Sequence, residues 1–135
     1  MPIELEMVLR LMLATVLGAI IGLQRYMVRK PAGIRDHSLI SLGSALFTVV
    51  SSLGFADGDP TRIASGIVAG IGFIGAGAIL RSPEGAVAGI TTAASIWVAA
   101  GIGLAAGAGM YIIAPVATAI TLMILVMPHR QKNLK

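Results

Sequence analysis

Apolar residues run almost unbroken along this chain, and short polar stretches divide them into five blocks, at about 6–24, 38–55, 62–80, 90–107 and 109–127. Each block is close to the roughly 20 residues that a helix needs to cross a bilayer. The first divider holds Arg25, Arg29, Lys30 and Arg35, and the second, FADGDPTR, holds two aspartates and one arginine. The third holds Arg81 and Glu84. The fourth is only Gly107-Ala108-Gly109, so the last two blocks must form a tight hairpin. Pro115 falls inside the last block, where neighbouring helices can tolerate the kink it introduces.

The pattern predicts an all-α integral membrane protein with five transmembrane helices over residues 1–127 and a basic tail over 128–135. Placing the first divider, the third and the tail on one side gathers there all the lysines and arginines except Arg10 and Arg62. Cytoplasmic loops carry such an excess of positive charge, so the N-terminus is expected outside and the C-terminus inside. Glu4 and Glu6 stand where a secretory signal would carry basic residues, so the first block is expected to be retained rather than cleaved.

Composition strengthens this picture. Of the 135 residues 56% are hydrophobic and only 12% charged, with a mean hydropathy of +0.91. A soluble domain carries about a quarter charged residues to cover its surface. The surface of this chain must therefore face lipid. Cysteine is absent, which excludes disulfides, thiolate metal sites and cysteine nucleophiles. Two histidines and six carboxylates, all scattered, supply no catalytic set, and no cofactor is expected. The basic tail suits anionic lipid head groups, not nucleic acid.

The stretch GIGFIGAGAIL, residues 70–80, has the spacing of a dinucleotide-binding fingerprint. That site needs a preceding strand, a polar crevice and an acid about twenty residues on for the ribose. Here the glycines lie inside an apolar block and no acid follows Glu84. They are expected instead to let helices approach closely. Gly66, Gly70 and Gly77 share one helical face, and Gly18/Gly22 and Gly103/Gly107 repeat the small-xxx-small spacing of membrane helix contacts.

A shift of 56 residues sets Arg25 on Arg81 and Ala32-Gly33-Ile34 on Ala88-Gly89-Ile90. This predicts a parallel repeat of two helix hairpins plus one extra helix. In each copy an inward-running helix would end at the arginine, and Ala-Gly-Ile would start the return helix. The repeat would bring Arg25, Arg35, Asp36, His37, Arg81, Thr91 and Thr92 together at a cytoplasmic mouth. Asp36, the one carboxylate among these arginines, is expected to contact at least one of them, because an unpaired charge drawn out of water is costly.

From that mouth Ser38, Ser41, Ser44, Thr48, Ser51 and Ser52 occupy one arc of roughly 140° on a helix. They read as interhelical hydrogen bonding, or as a polar path for a small channel or carrier. Ion-coupled carriers place an acid mid-membrane, and none lies along this stripe. Glu6 and Arg10 stand one turn apart and can pair. Asp57 and Asp59 resemble a weak hard-cation pair, but Asp59 ahead of Pro60 is better placed to cap a helix.

Three ordered stretches carry a resemblance: GAIIGLQRYMVRKPAGIRDHSLISLGSALF, DPTRIASGIVAGIGFIGAGAIL and AGITTAASIWVAAGIGLAAGAGMY. They resemble the MgtC/SapB family of bacterial membrane proteins over residues 10–125. The family motif Gly-Leu-Glu-Arg has an acid where this chain has Gln24. Many members also carry a soluble cytoplasmic domain after the position where this chain ends. The resemblance implies a protein of the bacterial cytoplasmic membrane, linked to growth at low magnesium and to survival of pathogens in macrophages. Binding to the membrane sector of the ATP synthase is attributed to some members. The expected mode of action is non-enzymatic, through helix–helix contacts with a second copy or a membrane partner.

Overall fold

The computed structural model describes residues 1–81 and 85–128, with the backbone alone at Leu80 and Arg81. Helix α1 spans Ile3–Met27 and α2 spans Ile34–Leu53. Helix α3 spans Pro60–Gly77, α4 Ile90–Gly107 and α5 Ile113–Leu125. Between α3 and α4 lies a small antiparallel ribbon of β1, Leu80–Arg81, and β2, Val87–Ala88, in which Leu80 faces Ala88 and Arg81 faces Val87.

The five helices fall on the five apolar blocks. Two of them, α1 and α4, are long and apolar enough to cross a membrane. Asp59 caps α3 by accepting a hydrogen bond from the Thr61 backbone N–H at 3.0 Å, and Pro60 takes the first helical position, where a missing N–H costs nothing. Helix α5 begins later than its apolar block. Gly109 adopts φ +82° and the chain turns through residues 109–112 before the helix starts. Pro115 consequently stands in the first turn of α5 rather than in its interior, and the Ala114 and Val116 N–H groups on either side of it bond to the Met110 and Ile112 carbonyls.

The core is built where α1, α2 and α4 pack on one another, with α5 resting on α1 and α4. Ala14, Leu17 and Ile21 of α1 meet Ala45 of α2, Ile102 and Ala106 of α4, and Ala114 of α5. A second cluster joins Ala32, Ile71, Ile96 and Ala100 and brings in α3. Small residues dominate both clusters, so the helices approach closely. A methyl group added at Gly18 would lie 2.5 Å from the His37 carbonyl oxygen, and one at Gly22 would lie 2.6 Å from that of Gly33. At Gly103 it would lie 2.9 Å from the Ser41 Cα, and at Gly107 2.7 Å from the Ala45 carbonyl oxygen. Backbone cannot yield as a flexible side chain can.

The third small-residue face behaves differently. Gly66, Gly70 and Gly77 have nothing within 4 Å of an added methyl group. Among the described residues, no neighbouring helix uses the close approach that they allow. Gly66 and Gly70 border an open groove beside α2, and Ile71 and Gly75 are the buried residues of α3.

Polarity is inverted relative to a protein in water. His37, Ser41, Ser44, Thr48, Thr92 and Ser95 are buried, whereas Phe47, Phe73, Trp97 and Met123 are exposed, Phe73 to 86%. Soluble proteins rarely leave contiguous apolar surface of this extent bare. An exterior of large apolar side chains around a hydroxyl-rich interior is what hydrocarbon selects.

The repeat holds at one point and breaks at another. Gly33 and Gly89 precede α2 and α4, so Ala-Gly-Ile does start both return helices. The preceding helices differ. Arg25 lies in the last turn of α1, whereas α3 stops at Gly77, four residues before Arg81. Gly89 at φ +91° packs on the Ala78 carbonyl, where any side chain would collide. That contact ties the ribbon to the end of α3, and the other copy has no ribbon.

Candidate functional site

Where the last turn of α1 meets the first turns of α2 and α4, a polar network crosses the core. Arg25, only 3% exposed, donates from Nη2 to Thr92 Oγ1 at 2.9 Å. Thr92 belongs to the first turn of α4, and its carbonyl oxygen lies 2.7 Å from the Ser95 hydroxyl. Ser95 Oγ also sits 2.8 Å from His37 Nε2. The other ring nitrogen, Nδ1, is 2.9 Å from the Gly33 carbonyl oxygen. A carbonyl only accepts, so Nδ1 carries a proton. Arg25, Thr92, Ser95, His37 and Gly33 thus stitch three helices together at one end of the core.

His37 can take two protonation states here without losing a partner. With the ring neutral, the Ser95 proton goes to Nε2. With the ring charged, Nε2 donates to Ser95 and the Ser95 proton goes to the Thr92 carbonyl. Buried polar groups of this kind are costly when unsatisfied and rigidifying when satisfied.

The structure places the remaining mouth residues elsewhere. Asp36 is exposed, and its carboxylate accepts from the Gly33 backbone N–H at 3.0 Å, as an acid at the third helical position does. Among the described residues it pairs with no arginine, contrary to expectation, because water and the helix start already satisfy it. Arg35 and Thr91 are also exposed. Arg81 contributes its backbone to β1, and its side chain, like the basic residues 129–135, lies outside what the structure describes. Ser95 was not anticipated from the sequence. It lies 58 residues from His37, and no spacing rule connects the two.

Most of the hydroxyl stripe is committed to backbone. Ser44 Oγ donates across to the Ala100 carbonyl of α4 at 2.6 Å. Thr48 and Ser52 donate back one turn, to Ser44 at 2.7 Å and Thr48 at 2.9 Å. Ser51 reaches the Pro60 carbonyl at 3.4 Å. Ser41 Oγ is buried with no partner and lies against the Gly18 and Gly103 crossings. Asp57 is exposed, and among the described residues no three His, Asp or Glu side chains gather where a metal ion could be held.

At the opposite end of α1, Arg10 Nε donates to Glu6 Oε1 at 3.1 Å and Nη1 to the Gly107 carbonyl at 3.0 Å. The Tyr111 hydroxyl donates to the same carboxylate oxygen at 2.6 Å. The expected Glu6–Arg10 pair is thus part of a clasp that fastens α1 to the α4–α5 turn.

An apolar-surfaced helical assembly with a buried cationic network is a membrane protein by its physical chemistry. The chain belongs to the MgtC family, whose pattern matches residues 11–134. It is 47% identical over 133 residues to the Escherichia coli K12 protein named "Putative magnesium transporter YhiD", covering 93% of this chain and 61% of the relative. It is 40% identical to Protein SrpB of Synechococcus elongatus, covering 86% of this chain and 71% of the relative. To Protein MgtC of Brucella abortus it is 45% identical over 84 residues, 62% of this chain and 35% of that protein. The chain thus spans about three-fifths of the length of YhiD. No solved structure matches it.

Proposed function

We propose that this chain is a non-enzymatic, multi-pass protein of the bacterial cytoplasmic membrane that serves adaptation to magnesium limitation through helix–helix contacts, first of all with a second copy of itself. The observation that carries this reading is the unused glycine face of α3. In lipid, small residues on a helix surface are the means by which backbones approach and dimerise. The Gly18/Gly22 and Gly103/Gly107 pairs are consumed by internal crossings, and this one is open. A groove of about 610 Å³ lies beside it, lined by Gly43 and Phe47 of α2 and by Gly66, Gly70 and Ile74 of α3. A helical ridge fits such a surface. Five crossings with the N-terminus outside and the C-terminus inside complete the arrangement, supported by the distribution of lysine and arginine.

A hydroxyl-lined carrier is the weaker reading, because Ser44, Thr48 and Ser52 are bonded to carbonyls rather than turned to a lumen. The chain has no cysteine, so single-cysteine variants are informative. Gly66→Cys and Gly70→Cys in native membranes are expected to yield disulfide-linked dimers, and Val16→Cys on the exposed side of α1 none. Strictly monomeric protein at both α3 positions would overturn the dimer.

A further inference from the structure

Arg25 is a cation buried beside apolar helices, and among the described residues no carboxylate balances it. Its described hydrogen bond goes to a neutral hydroxyl, and its Nε is buried with no partner at all. Arginine does not shed its proton, so the charge cannot be avoided by neutralisation. The ion pair found among the described residues joins Arg10 to Glu6, roughly 22 Å away along α1 at the helical rise. Gln24, the preceding residue, offers an amide where an acid would have offered a counter-charge, and its Oε1 is likewise buried and unpartnered. Asp36, the carboxylate nearest in sequence to the network, is taken by the Gly33 N–H. The surroundings add positive charge: Arg29, Lys30 and Arg35 are exposed on the segment that follows α1 and enters α2, and His37 is in the network itself.

The guanidinium is anchored at the start of a helix. Thr92 is the third residue of α4, and that helix has no side-chain cap because its N-cap, Gly89, has no side chain to offer. The first N–H groups of a helix have no partner within it and carry partial positive charge. A buried arginine with unused donors, held against an uncapped 18-residue helix, has the donor set by which proteins hold tetrahedral oxyanions.

We propose that Arg25, Thr92 and the first turn of α4 form a binding site for a phosphate group, which supplies the counter-charge that no described residue gives Arg25. The group comes either from a phospholipid head group at the membrane surface or from free phosphate. This site stands at the α1–α2–α4 junction and does not depend on the α3 face.

Thermal unfolding of the purified full chain in neutral detergent tests it. Inorganic phosphate is compared with chloride at equal ionic strength, and phosphatidylglycerol doped into the micelle with diacylglycerol. At ten times the Kd, the phosphate-bearing probe is expected to raise Tm by roughly 3–6 °C. A rise with inorganic phosphate identifies the free anion, and a rise with phosphatidylglycerol alone identifies the head group. Thr92→Val, which keeps side-chain volume, and Arg25→Gln should each lose the rise, and Arg35→Gln should keep it. No rise with either probe, or a rise undiminished in Arg25→Gln and Thr92→Val, overturns the site. So does a rise that emerges only in Glu84→Gln, since the counter-charge would then be a carboxylate of the chain itself.

Discussion

Helices α3 and α4 are both 18 residues long, and both carry glycines four apart, yet the two faces have opposite fates. Gly103 and Gly107 of α4 are pressed against the α2 backbone, and Gly66 and Gly70 of α3 touch nothing. The spacing encodes a surface that can be approached closely. It does not encode what approaches. On α4 the answer is within the chain, and on α3 no described residue supplies one.

The comparison breaks most sharply under one substitution made on both faces. Gly103→Ala forces a methyl group into the Ser41 backbone and should destabilise the fold by roughly 3 kcal/mol, the upper end of overpacking costs. A large fall in Tm, or loss of folded protein from the membrane, is the readout. Ser44→Ala removes the hydroxyl that bridges α2 to the Ala100 carbonyl. It should cost about 1 kcal/mol, within the range of interhelical bonds in membranes, with Thr48 as a control that bonds only its own helix. Gly70→Ala should act with the opposite sign, stabilising the monomer by about 0.5 kcal/mol, because nothing obstructs the methyl and alanine is the better helix former. Destabilisation there would mean that α3 is packed as tightly as α4.

The smallest effect belongs to the α3 start. Thr61 donates its hydroxyl to Asp59 Oδ1 at 2.7 Å and its backbone N–H at 3.0 Å. These bonds hold the Asp59 carboxyl below the usual carboxylate range. A depressed carboxyl contributes stability above its unfolded pKa and loses it as pH falls through the folded one. The small Tm difference between the wild type and Asp59→Ala should therefore be full at neutral pH and close in acid. A difference that does not change with pH would assign it to packing.

Local features were legible in the sequence, and most relations between distant segments were not. The apolar blocks marked where helices form, since backbone in hydrocarbon must bond to itself. Asp59-Pro60 and Glu6/Arg10 were readable because their partners stand within one turn. Arg25 and Thr92 came forward through the 56-residue shift and do meet, at 2.9 Å. Asp36 misled, because an acid three residues past Gly33 finds the helix start before it finds an arginine. The His37–Ser95 bond had no local signal, and the start of α5 was hidden behind the left-handed turn at Gly109.

The habit of bonding one turn back has a consequence for the order of assembly. Thr15 donates to Leu11, Thr48 to Ser44, Thr118 to Ala114 and Thr121 to Ala117, each within its own helix. These hydroxyls are therefore already quenched within their own helices before any neighbour arrives. Among the contacts that remain for docking are Ser44 to Ala100, Arg25 to Thr92 and His37 to Ser95. All three reach α4, the fourth helix to be synthesised. Until α4 docks, Arg25 lacks Thr92 and His37 Nε2 lacks Ser95, while His37 Nδ1 already has the Gly33 carbonyl, so the docking of α4 is the step that locks the bundle.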